Sequence, residues 1–582
     1  MMVGASVAAE GGPEKPLGSD IIPVERLGDW RAGVTVGVPE GIPADRANLI
    51  DVTKEPYKAD NTGATDTQPA IMKAIADAKD KDVIYLPAGT YRVESPIQVR
   101  QTKRLTIRGA GPDKTVIMSY SKWGSGISVG WDSDWRWNKP DYAVTENPKR
   151  GATVLTVGDT SALDEYPNGG IGQICQIRLK NDDKLPVIAP AQWEYLRRQT
   201  SRVVAKTKTT VTISPAILFD LPENLEPKLS VATRQTEFTG VEDLKIDGTN
   251  GTIGSGIYLE QGYACWVKNV EVTEVTGFHF NVRDSLRGEI RHCYAAKRKG
   301  AGSNGAALLV NGISGFLVED NMLAQQFPHI EVNSSSSGNV FAYNYCYDSS
   351  IWGLIGASID SNHRAHNSFN LYEGNVSPKF QNDGYHGSGS NDTVFRNWFH
   401  GTSPGTERFG ICVNLNRFTR YYNIVGNVLG CKGYTWIYDN CNEDFRGFGY
   451  EQHFIYMLGM PNMGNGAFNG KTVQPSKGIT WADWERYSAS EPGKGPGPGG
   501  FQELDLDVAA TTLRLGNYNY KDNGVPASES LKGKKLPTSL YLEKKPEWFG
   551  KLAWPPFGPD TDFEKNKIPA QERYEEMTKG EK

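Results

Sequence analysis

Two neighbouring segments of the chain concentrate groups that can move protons or bind anions. The first is NHRAHNSFNLYEGN, from Asn362 to Asn375, and the second is QNDGYHGSGS, which follows a few residues later. Their candidate chemical groups, with the aspartate just before them, are Asp360, His363, Arg364, His366, Glu373, Asp383, Tyr385 and His386. Carboxylates and imidazoles are the usual general acids and bases of enzymes, and a guanidinium binds anionic or hydroxyl oxygens. We therefore expect acid–base chemistry on a polar substrate.

A repeat along the chain predicts which elements position these groups. Six short apolar segments each lead into an asparagine: Asn269, Asn321, Asn344, Asn375, Asn397 and Asn427. From Asn321 onward the spacings are 23, 31, 22 and 30 residues. Such spacings fit the turns of a solenoid, with an extra loop of about eight residues in each longer interval. We expect the asparagines to stack as a hydrogen-bonded ladder, with the residue three positions before each one facing the core.

A second strand follows each asparagine, and its alternation predicts one polar face. Apolar residues take every other position, and the positions between them hold His279, Asn281, Arg283, Asn311, His329, Glu331, Asn333, Asn414, Asn416 and Tyr438. An ordinary solvent-facing sheet would favour Lys, Thr and Ser, so this composition indicates a ligand groove. The loop around His363 and the segment GTSPGTERF, which contains Glu407 and Arg408, lie in the two longer intervals and are expected to overhang the groove.

Glu331 and Asp383 are the candidate catalytic carboxylates of this face. They lie two rungs apart, which separates their backbones by about 10 Å while their side chains can converge. Carboxyl groups roughly 6.5 to 9.5 Å apart suit an inverting glycosidase. His386, His363 and Glu373 complete the predicted catalytic set. The predicted substrate-binding residues are Arg364, His366, Asp360, Arg283, Asn311, Asn333, Tyr385, Arg408, Asn414 and Tyr438.

A polysaccharide lyase is the alternative to a glycoside hydrolase. A lyase abstracts the proton α to a uronate carboxylate and needs a cation to neutralise that carboxylate. The candidate cations are Arg364, Arg283 and Arg408, and the candidate bases are His386, His363 and Tyr385. Hydrolysis requires no cofactor, whereas a lyase could use Ca²⁺, for which the sequence has no dense acidic cluster. A third possibility is a non-catalytic glycan-binding protein or an epimerase that leaves the chain intact.

The N-terminal part of the chain resembles a known superfamily. DNTGATDTQPAI, followed by VIYLPAGTYRV and a strand ending in RGAG, is similar to the cap and first turns of the pectate-lyase-like proteins. That superfamily includes polygalacturonases, rhamnogalacturonases, pectate lyases, other glycoside hydrolases, epimerases and phage tailspikes. The resemblance implies an all-β, right-handed parallel β-helix with an N-terminal capping helix, in which Ile71, Ala74, Ile75 and Ala78 share one face. The polygalacturonase signatures NTD and RIK are absent, so it assigns no catalytic residue.

Composition shifts divide the chain into three parts. Residues 1–46 form an N-terminal extension, 47–460 the β-helix, and 461–582 a C-terminal extension whose aromatic residues are expected to pack on the solenoid. Between about 141 and 235 the repeat is interrupted by GATVLTVGD, GQICQIRLK and TSRVVAKTKTTVTISPAI. These alternating segments with polar turns predict a small β insertion.

Charge and cysteine usage limit the possible partners and location. With 63 basic and 68 acidic residues and no basic run, we expect no nucleic-acid partner. No apolar stretch has the roughly 20 residues of a membrane span. The segment SVAAE resembles a signal-cleavage site and predicts a secreted or periplasmic protein. Seven cysteines without a CxxC pair favour neither a zinc ribbon nor a disulfide framework, although Cys431 and Cys441 are near enough in sequence to pair. We expect a polysaccharide or oligosaccharide partner, and the sequence leaves monomer or homo-oligomer open.

Overall fold

The computed structural model describes most of the chain. It covers residues 16–46, 48–100, 103–130, 141–182, 184–185, 187, 194–300, 305–351, 353–441, 452–460 and 505–579. The signal-like segment near the N-terminus and residues 461–504 of the predicted C-terminal extension lie outside these ranges.

Short strands stack in parallel to form three ladders, which confirms the predicted all-β parallel β-helix. Strands of the first ladder are Leu49–Asp51, Val83–Tyr85, Thr106–Arg108, Gly240–Asp247, Trp266–Thr273, Glu289–Arg291, Leu317–Glu319, Val340–Ala342, Leu371–Glu373, Thr393–Phe395, Asn423–Val425 and Leu513–Leu515. Strands of the second are Thr62–Asp66, Gly89–Val93, Thr115–Ser119, Tyr294–Ala296, Met322–Ala324, Tyr345–Tyr347, Val376–Ser377, Trp398–Phe399, Val428–Leu429 and Tyr518–Asn519. Gly240–Asp247 and Trp266–Thr273 pair in both ladders and join them into one 22-stranded sheet.

The third ladder is a separate 11-stranded sheet, and we call it the site sheet. Its strands are Ile97–Val99, Ser125–Gly130, Ser255–Glu260, Phe278–Arg283, Leu308–Asn311, Ile330–Asn333, Ile359–Asp360, Phe380–Asn382, Ile411–Asn416, His453–Met460 and Trp436–Asp439. Its apolar positions stack inward in register, so that Ile330 pairs with Ile359 and Ile359 with Phe380, all fully buried. The alternate positions therefore face outward, as a strand repeat of two requires.

The predicted asparagine ladder is present between the first and second ladders of strands. The Asn344 Nδ2 donates to Asn375 Oδ1 at 3.0 Å, and the Asn375 Nδ2 donates to Asn397 Oδ1 at 2.9 Å. The ladder also runs from Asn321 through Asn427 to Asn517. Each residue three positions before the five asparagines from Asn321 to Asn427 is buried in the core. The exception among the predicted members is Asn269, which bonds Asp243 instead.

Asn269 lies outside the ladder because of its register. The strand Trp266–Thr273 pairs so that Lys268 lies beside Arg291, which places Asn269 next to His292 rather than next to the ladder position. Cys293 takes that position, and its backbone N–H donates to Asn321 Oδ1 at 2.9 Å. The thiol cannot replace the amide as an acceptor and donor of comparable strength, so the column of asparagine side chains begins at Asn321.

The interruption of the repeat is an antiparallel sheet of six strands. In spatial order they are Val154–Thr156, Thr210–Ser214, Arg197–Lys206, Ile174–Leu179, Lys228–Val231 and Asp141–Ala143. The sheet has its own core, which includes Leu155, Ile177 and Val211. It packs on turns that follow strands of the site sheet: the Thr200 hydroxyl donates to Gly312 O at 2.8 Å. The insertion therefore packs beside the C-terminal ends of strands of the site sheet.

The N-terminal and C-terminal segments that the structure describes pack on the 22-stranded sheet. A second hydrophobic cluster joins Trp30 from the N-terminal segment, Phe549 and Phe557 from the C-terminal segment, and Tyr343 from the sheet. Strands Leu513–Leu515 and Tyr518–Asn519 continue the first and second ladders past residue 460.

The α-helices of the described ranges are few and short. They are Gln68–Asp77, Leu506–Thr511 and Pro569–Thr578, and two-stranded pairs form at Thr236–Glu237 with Gly262–Tyr263 and at Ser350–Ile351 with Leu354–Ile355. Helix Gln68–Asp77 buries Ile71, Ala74 and Ile75, as its apolar spacing predicts. No helix in the described ranges combines the length and apolarity that crossing a membrane needs. All seven cysteines are free, so the suggested pairing of Cys431 with Cys441 is wrong.

Candidate active site

The outward face of the site sheet brings polar side chains together rung by rung. Glu331 pairs with Asp360, and Asp360 pairs with Gln381. Gln381 in turn pairs with Asn414, whose Nδ2 lies 3.3 Å from the Gln381 Oε1. Adjacent parallel strands are about 4.8 Å apart, so the first two of these groups are immediate neighbours. Asp360, which the sequence suggested only as a binding residue, lies in the middle of this row.

Asp360 is a buried carboxyl group. Its side chain is 3% exposed, and its Oδ1 accepts backbone N–H groups from Asn362 at 3.2 Å and Asp383 at 3.4 Å. Burial first, and then the negative charge of Asp383, raises its pKa well above the ordinary range, against the weaker opposing effect of His363. A raised pKa favours the protonated form of the carboxyl group.

His363 and Asp383 form an ion pair directly beside Asp360. The His363 Nδ1 lies 2.9 Å from Asp383 Oδ2, and the other carboxylate oxygen accepts the Tyr385 N–H at 2.5 Å. Burial acts to lower the pKa of His363, but attraction to Asp383, with smaller effects of nearby carboxylates, raises it to about 10. One ligand atom each from Asp360, His363 and Asp383 lie within 4.8 Å of one another. This set could hold a divalent cation, and it can equally well exchange protons.

An aromatic group borders the carboxyls. The ring of Tyr385 stacks on His363 with centroids 5.9 Å apart, and His386 meets His363 edge-on at 5.0 Å. Tyr385 is 46% exposed, so much of its ring is accessible to a ligand. Burial, and then the charge of His363, lowers the pKa of His386 to about 4, which leaves His386 neutral at pH 7.

Asn333 fixes the position of Glu331 and of the loop that carries His363. The Asn333 Nδ2 donates to Glu331 Oε1 at 2.7 Å, and its Oδ1 accepts the Arg364 N–H at 2.7 Å. These two bonds define the orientation of the amide. Arg364 is partly exposed, and burial followed by repulsion from Arg283 lowers its pKa. The loop and the sheet are thus held in one arrangement.

Register continues the polar face away from the carboxyls. Arg283 pairs with Asn311, and Asn311 with Asn333. Arg198 from the insertion joins this row: its Nη2 donates to Asn311 Oδ1 at 3.0 Å. The sequence analysis missed Arg198 because it belongs to the insertion, whose docking position has no local sequence signal.

Glu373 and His366 lie elsewhere, and their predicted roles are corrected. Glu373 belongs to the first ladder, is fully buried, and accepts the Leu540 N–H at 2.8 Å beneath the C-terminal segment. His366 is 4% exposed instead of lining the groove, because its loop turns inward, with a backbone bond to Ser388 O at 2.7 Å. Burial lowers the pKa of His366 to about 3.

Arg408 and Tyr438 are also corrected. Arg408 precedes the strand Ile411–Asn416, whereas Asp383 follows a strand of the same parallel sheet, so the two lie at opposite strand ends. Tyr438 points inward rather than outward: it packs against the main core, and its hydroxyl donates to Glu529 at 2.5 Å. The alternation of the strand Trp436–Asp439 was predicted one residue out of step, and a shift of one residue exchanges the two faces of a strand.

The fold is a parallel β-helix whose site sheet carries carboxyl groups on its outward face. Residues 52–134 match the family described as Rhamnogalacturonase A/epimerase, pectate lyase-like. This confirms the resemblance that the N-terminal segments indicated. No curated protein matches the chain.

Solved structures with a similar fold have low identity to this chain. The tailspike gp61 of Pseudomonas phage phi297 is 12% identical, with 72% of this chain and 82% of that chain covered and a TM-score of 0.46. The tailspike gp49 of Pseudomonas phage LKA1 is 11% identical, with 71% and 81% covered and a TM-score of 0.46. The A-module of the mannuronan C-5 epimerase AlgE6 of Azotobacter vinelandii is 14% identical, with 71% and 97% covered and a TM-score of 0.39.

Proposed function

We propose that the protein is a glycoside hydrolase that cleaves a polysaccharide lying along the outward face of the site sheet. The observation that carries the proposal is Asp360, a buried carboxyl group one rung from Glu331 and beside Asp383, whose pKa is raised well above its ordinary range by burial and by Asp383. A carboxyl group with a raised pKa next to a second carboxyl group is the pattern of a glycosidase acid and its partner.

Asp360 acts as the general acid in this proposal. It gives its proton to the glycosidic oxygen as the bond from that oxygen to the anomeric carbon breaks. Asp383 tunes this group: its charge favours the protonated form of Asp360. His363, with a pKa of about 10, remains an imidazolium and keeps Asp383 in place at 2.9 Å.

Glu331 acts as the nucleophile, because strands about 4.8 Å apart bring the two carboxyl groups to the roughly 5 to 5.5 Å spacing of retaining glycosidases. One of its oxygens accepts the Asn333 amide, and Oε2 hydrogen-bonds no residue in the described part of the chain. Glu331 is also more exposed than Asp360. Its carboxylate attacks the anomeric carbon and forms a glycosyl ester as Asp360 protonates the leaving oxygen. The Asp360 carboxylate then takes a proton from the water that breaks this ester, which restores both groups. The original Glu331 and Asp383 pairing is thereby replaced by Glu331 and Asp360.

A polysaccharide lyase is the second candidate, and His386 favours it. His386 is neutral at pH 7 because its pKa is lowered to about 4, so its ring can accept a proton. His363 cannot be that base below about pH 10. Arg364 and His363 would neutralise the uronate carboxylate.

The test is turnover on a panel of polysaccharides by the full chain and three variants. Reducing ends should appear without the ultraviolet absorbance of an unsaturated uronide. Asp360→Asn should remove this activity, and Glu373→Gln, at a buried carboxyl group on another sheet, is the matched control that should keep it. Absorbance that tracks the release of ends and depends on His386→Ala, with full activity in Asp360→Asn, would establish the lyase instead.

A further inference from the structure

Two arginines flank Asn311 on the polar face, with Arg283 three rungs and Asn311 two rungs from the proposed acid. Arg283 lies on the strand before Asn311 and pairs with it in register. Arg198 reaches the same residue from the insertion and donates to its Oδ1 at 3.0 Å. With strands about 4.8 Å apart, the step from Arg283 to Asp360 is roughly 14 Å along the sheet. The cluster is therefore separate from the carboxyls but lies on the same face.

The hydrogen bonds within this cluster leave several donors unused. Arg283 donates from Nε to Asn281 Oδ1 at 3.1 Å, and neither of its Nη groups hydrogen-bonds any residue in the ranges that the structure describes. Arg198 uses Nε on Ser334 O at 3.1 Å and Nη2 on Asn311, and its Nη1 has no bond within the same ranges. The Asn311 Nδ2 is likewise without an acceptor there, since the bond from Arg198 fixes its amide orientation.

Carboxylates near the two arginines already have partners of their own. Asp284 lies 3.3 Å from the Arg198 Nη2 and also accepts the Gln176 amide at 3.4 Å. Glu260 pairs in register with Arg283, is 4% exposed, and accepts the Tyr258 hydroxyl at 2.7 Å. The unused groups of Arg283, Arg198 and Asn311 are therefore N–H donors alone, because guanidinium groups have no acceptor.

We propose that Arg283, Arg198 and Asn311 form a subsite for an anionic group of the saccharide, a carboxylate or a sulfate ester. A sugar hydroxyl needs an acceptor as well as a donor, whereas an anion is satisfied by donors alone. Charge-assisted bonds from guanidinium to carboxylate or sulfate are also stronger and planar, which suits arginine. The inference rests on the proposed function for its ligand class, an acidic polysaccharide, but binding can be measured without turnover.

The insertion acquires a role from this subsite. Its strand Arg197–Lys206 is anchored to the turns of the site sheet by Thr200, whose N–H donates to Ser314 Oγ at 3.2 Å. Arg198 lies two residues earlier on that strand, and its own N–H donates to Ser335 Oγ at 3.0 Å. The strand that carries the guanidinium is thus held by two of its backbone N–H groups. The insertion then contributes Arg198 to the recognition of the anionic group.

The experiment measures binding by the Asp360→Asn full chain, so that hydrolysis does not remove the probes. The probes are an array of uronate polysaccharides, the same polysaccharides after carboxyl reduction, sulfated polysaccharides, and inorganic sulfate titrated against melting temperature. Arg283→Met and Arg283→Lys are added to the Asp360→Asn background. Arg92→Met is the control. Arg92 lies on a strand of the second ladder, outside the site sheet, and forms an exposed ion pair with Glu94.

Acidic members should be retained and their reduced forms should not. Loss of a charge-assisted contact should weaken retention about 10- to 100-fold in Arg283→Met, less in Arg283→Lys, and not at all in Arg92→Met. Comparing retention of the uronate polysaccharides with that of the sulfated polysaccharides then identifies the anion that is bound. Equal retention of reduced polysaccharides, unchanged binding in Arg283→Met, or no retention together with no sulfate response would each overturn the subsite. Failure of hydrolysis with intact Arg283-dependent binding would overturn only the proposed function.

Discussion

Replacing Glu373 by Gln should remove a pH-dependent loss of folding stability and leave turnover unchanged. Glu373 is fully buried, and burial is the main cause that raises its pKa to about 7 from 4.5, against the lowering effect of its hydrogen bonds. The Leu540 N–H and the Tyr343 hydroxyl donate to it at 2.8 and 3.2 Å. A folded-state pKa above the unfolded one means that the folded protein holds this proton more tightly.

The sign and size of the effect follow from these two pKa values. The contribution is fully present below about pH 4.5 and is lost as the pH rises to about 7. A difference of about 2.5 pKa units at 1.36 kcal/mol each gives roughly 3 kcal/mol, most of it lost between pH 5 and pH 8. Gln cannot ionise, so the variant lacks this slope. Any constant loss from the altered hydrogen bonds cancels when one compares pH values within each protein.

The assay is the free energy of unfolding from denaturant titrations at pH 5 and pH 8. Wild type should lose roughly 3 kcal/mol more than Glu373→Gln over this interval. Glu94→Gln, at an exposed glutamate, is the control that should keep the wild-type slope. Equal slopes in wild type and Glu373→Gln would refute the burial argument. A fall in turnover per folded molecule in that variant would instead return Glu373 to the catalytic machinery.

Four further outcomes test the site and its scaffold. Asp360→Asn should reduce turnover at least about 100-fold without lowering the melting temperature, since it removes the proton donor but keeps the shape of a buried group. Asp383→Asn should move the alkaline limb of the rate profile to lower pH, because a negative charge that raises the pKa of Asp360 is lost. Asn375→Ala should lower the free energy of unfolding by about 1 to 3 kcal/mol in denaturant titrations, because it leaves buried ladder groups unpaired. His366→Leu should preserve both turnover and melting temperature, since neither ring nitrogen has a hydrogen-bond partner among the described residues.

The fold could be predicted because the ladder constrains residue type at every turn. Asn375 must accept from Asn344 and donate to Asn397, and an amide of that length is the side chain that does both. The asparagine repeat could therefore be recognised in the sequence. The prediction failed at Asn269, where the column of amides has already ended. The rung between Asn269 and Asn321 carries Cys293 at the ladder position, and Asn269 lies beside its neighbour His292.

The site was predicted only in part, because strand alternation indicates a face but not which sheet that face belongs to. Glu373 and Asp360 each sit on a strand at an outward position. Glu373 points toward the C-terminal segment, and Asp360 points toward the groove. Only the pairing of whole rungs separates the two cases. Arg198 shows the stronger limit, since its contact with Asn311 spans 113 residues and depends on how an inserted sheet docks.

The ladder tolerates intervals of different length between its asparagines. Asn344 and Asn375 are 31 residues apart, yet their side chains meet at 3.0 Å. Asn375 and Asn397 are only 22 residues apart and meet at 2.9 Å. Most of the extra residues enter before Asp360, because Tyr345 pairs with a residue 23 positions earlier whereas Ile359 pairs with one 29 positions earlier. The loop that carries His363 adds only two more, since Leu371 pairs with a residue 31 positions earlier. The chain therefore changes length between strands, while the strand that positions Asp360 stays fixed by its pairing with the strands on either side.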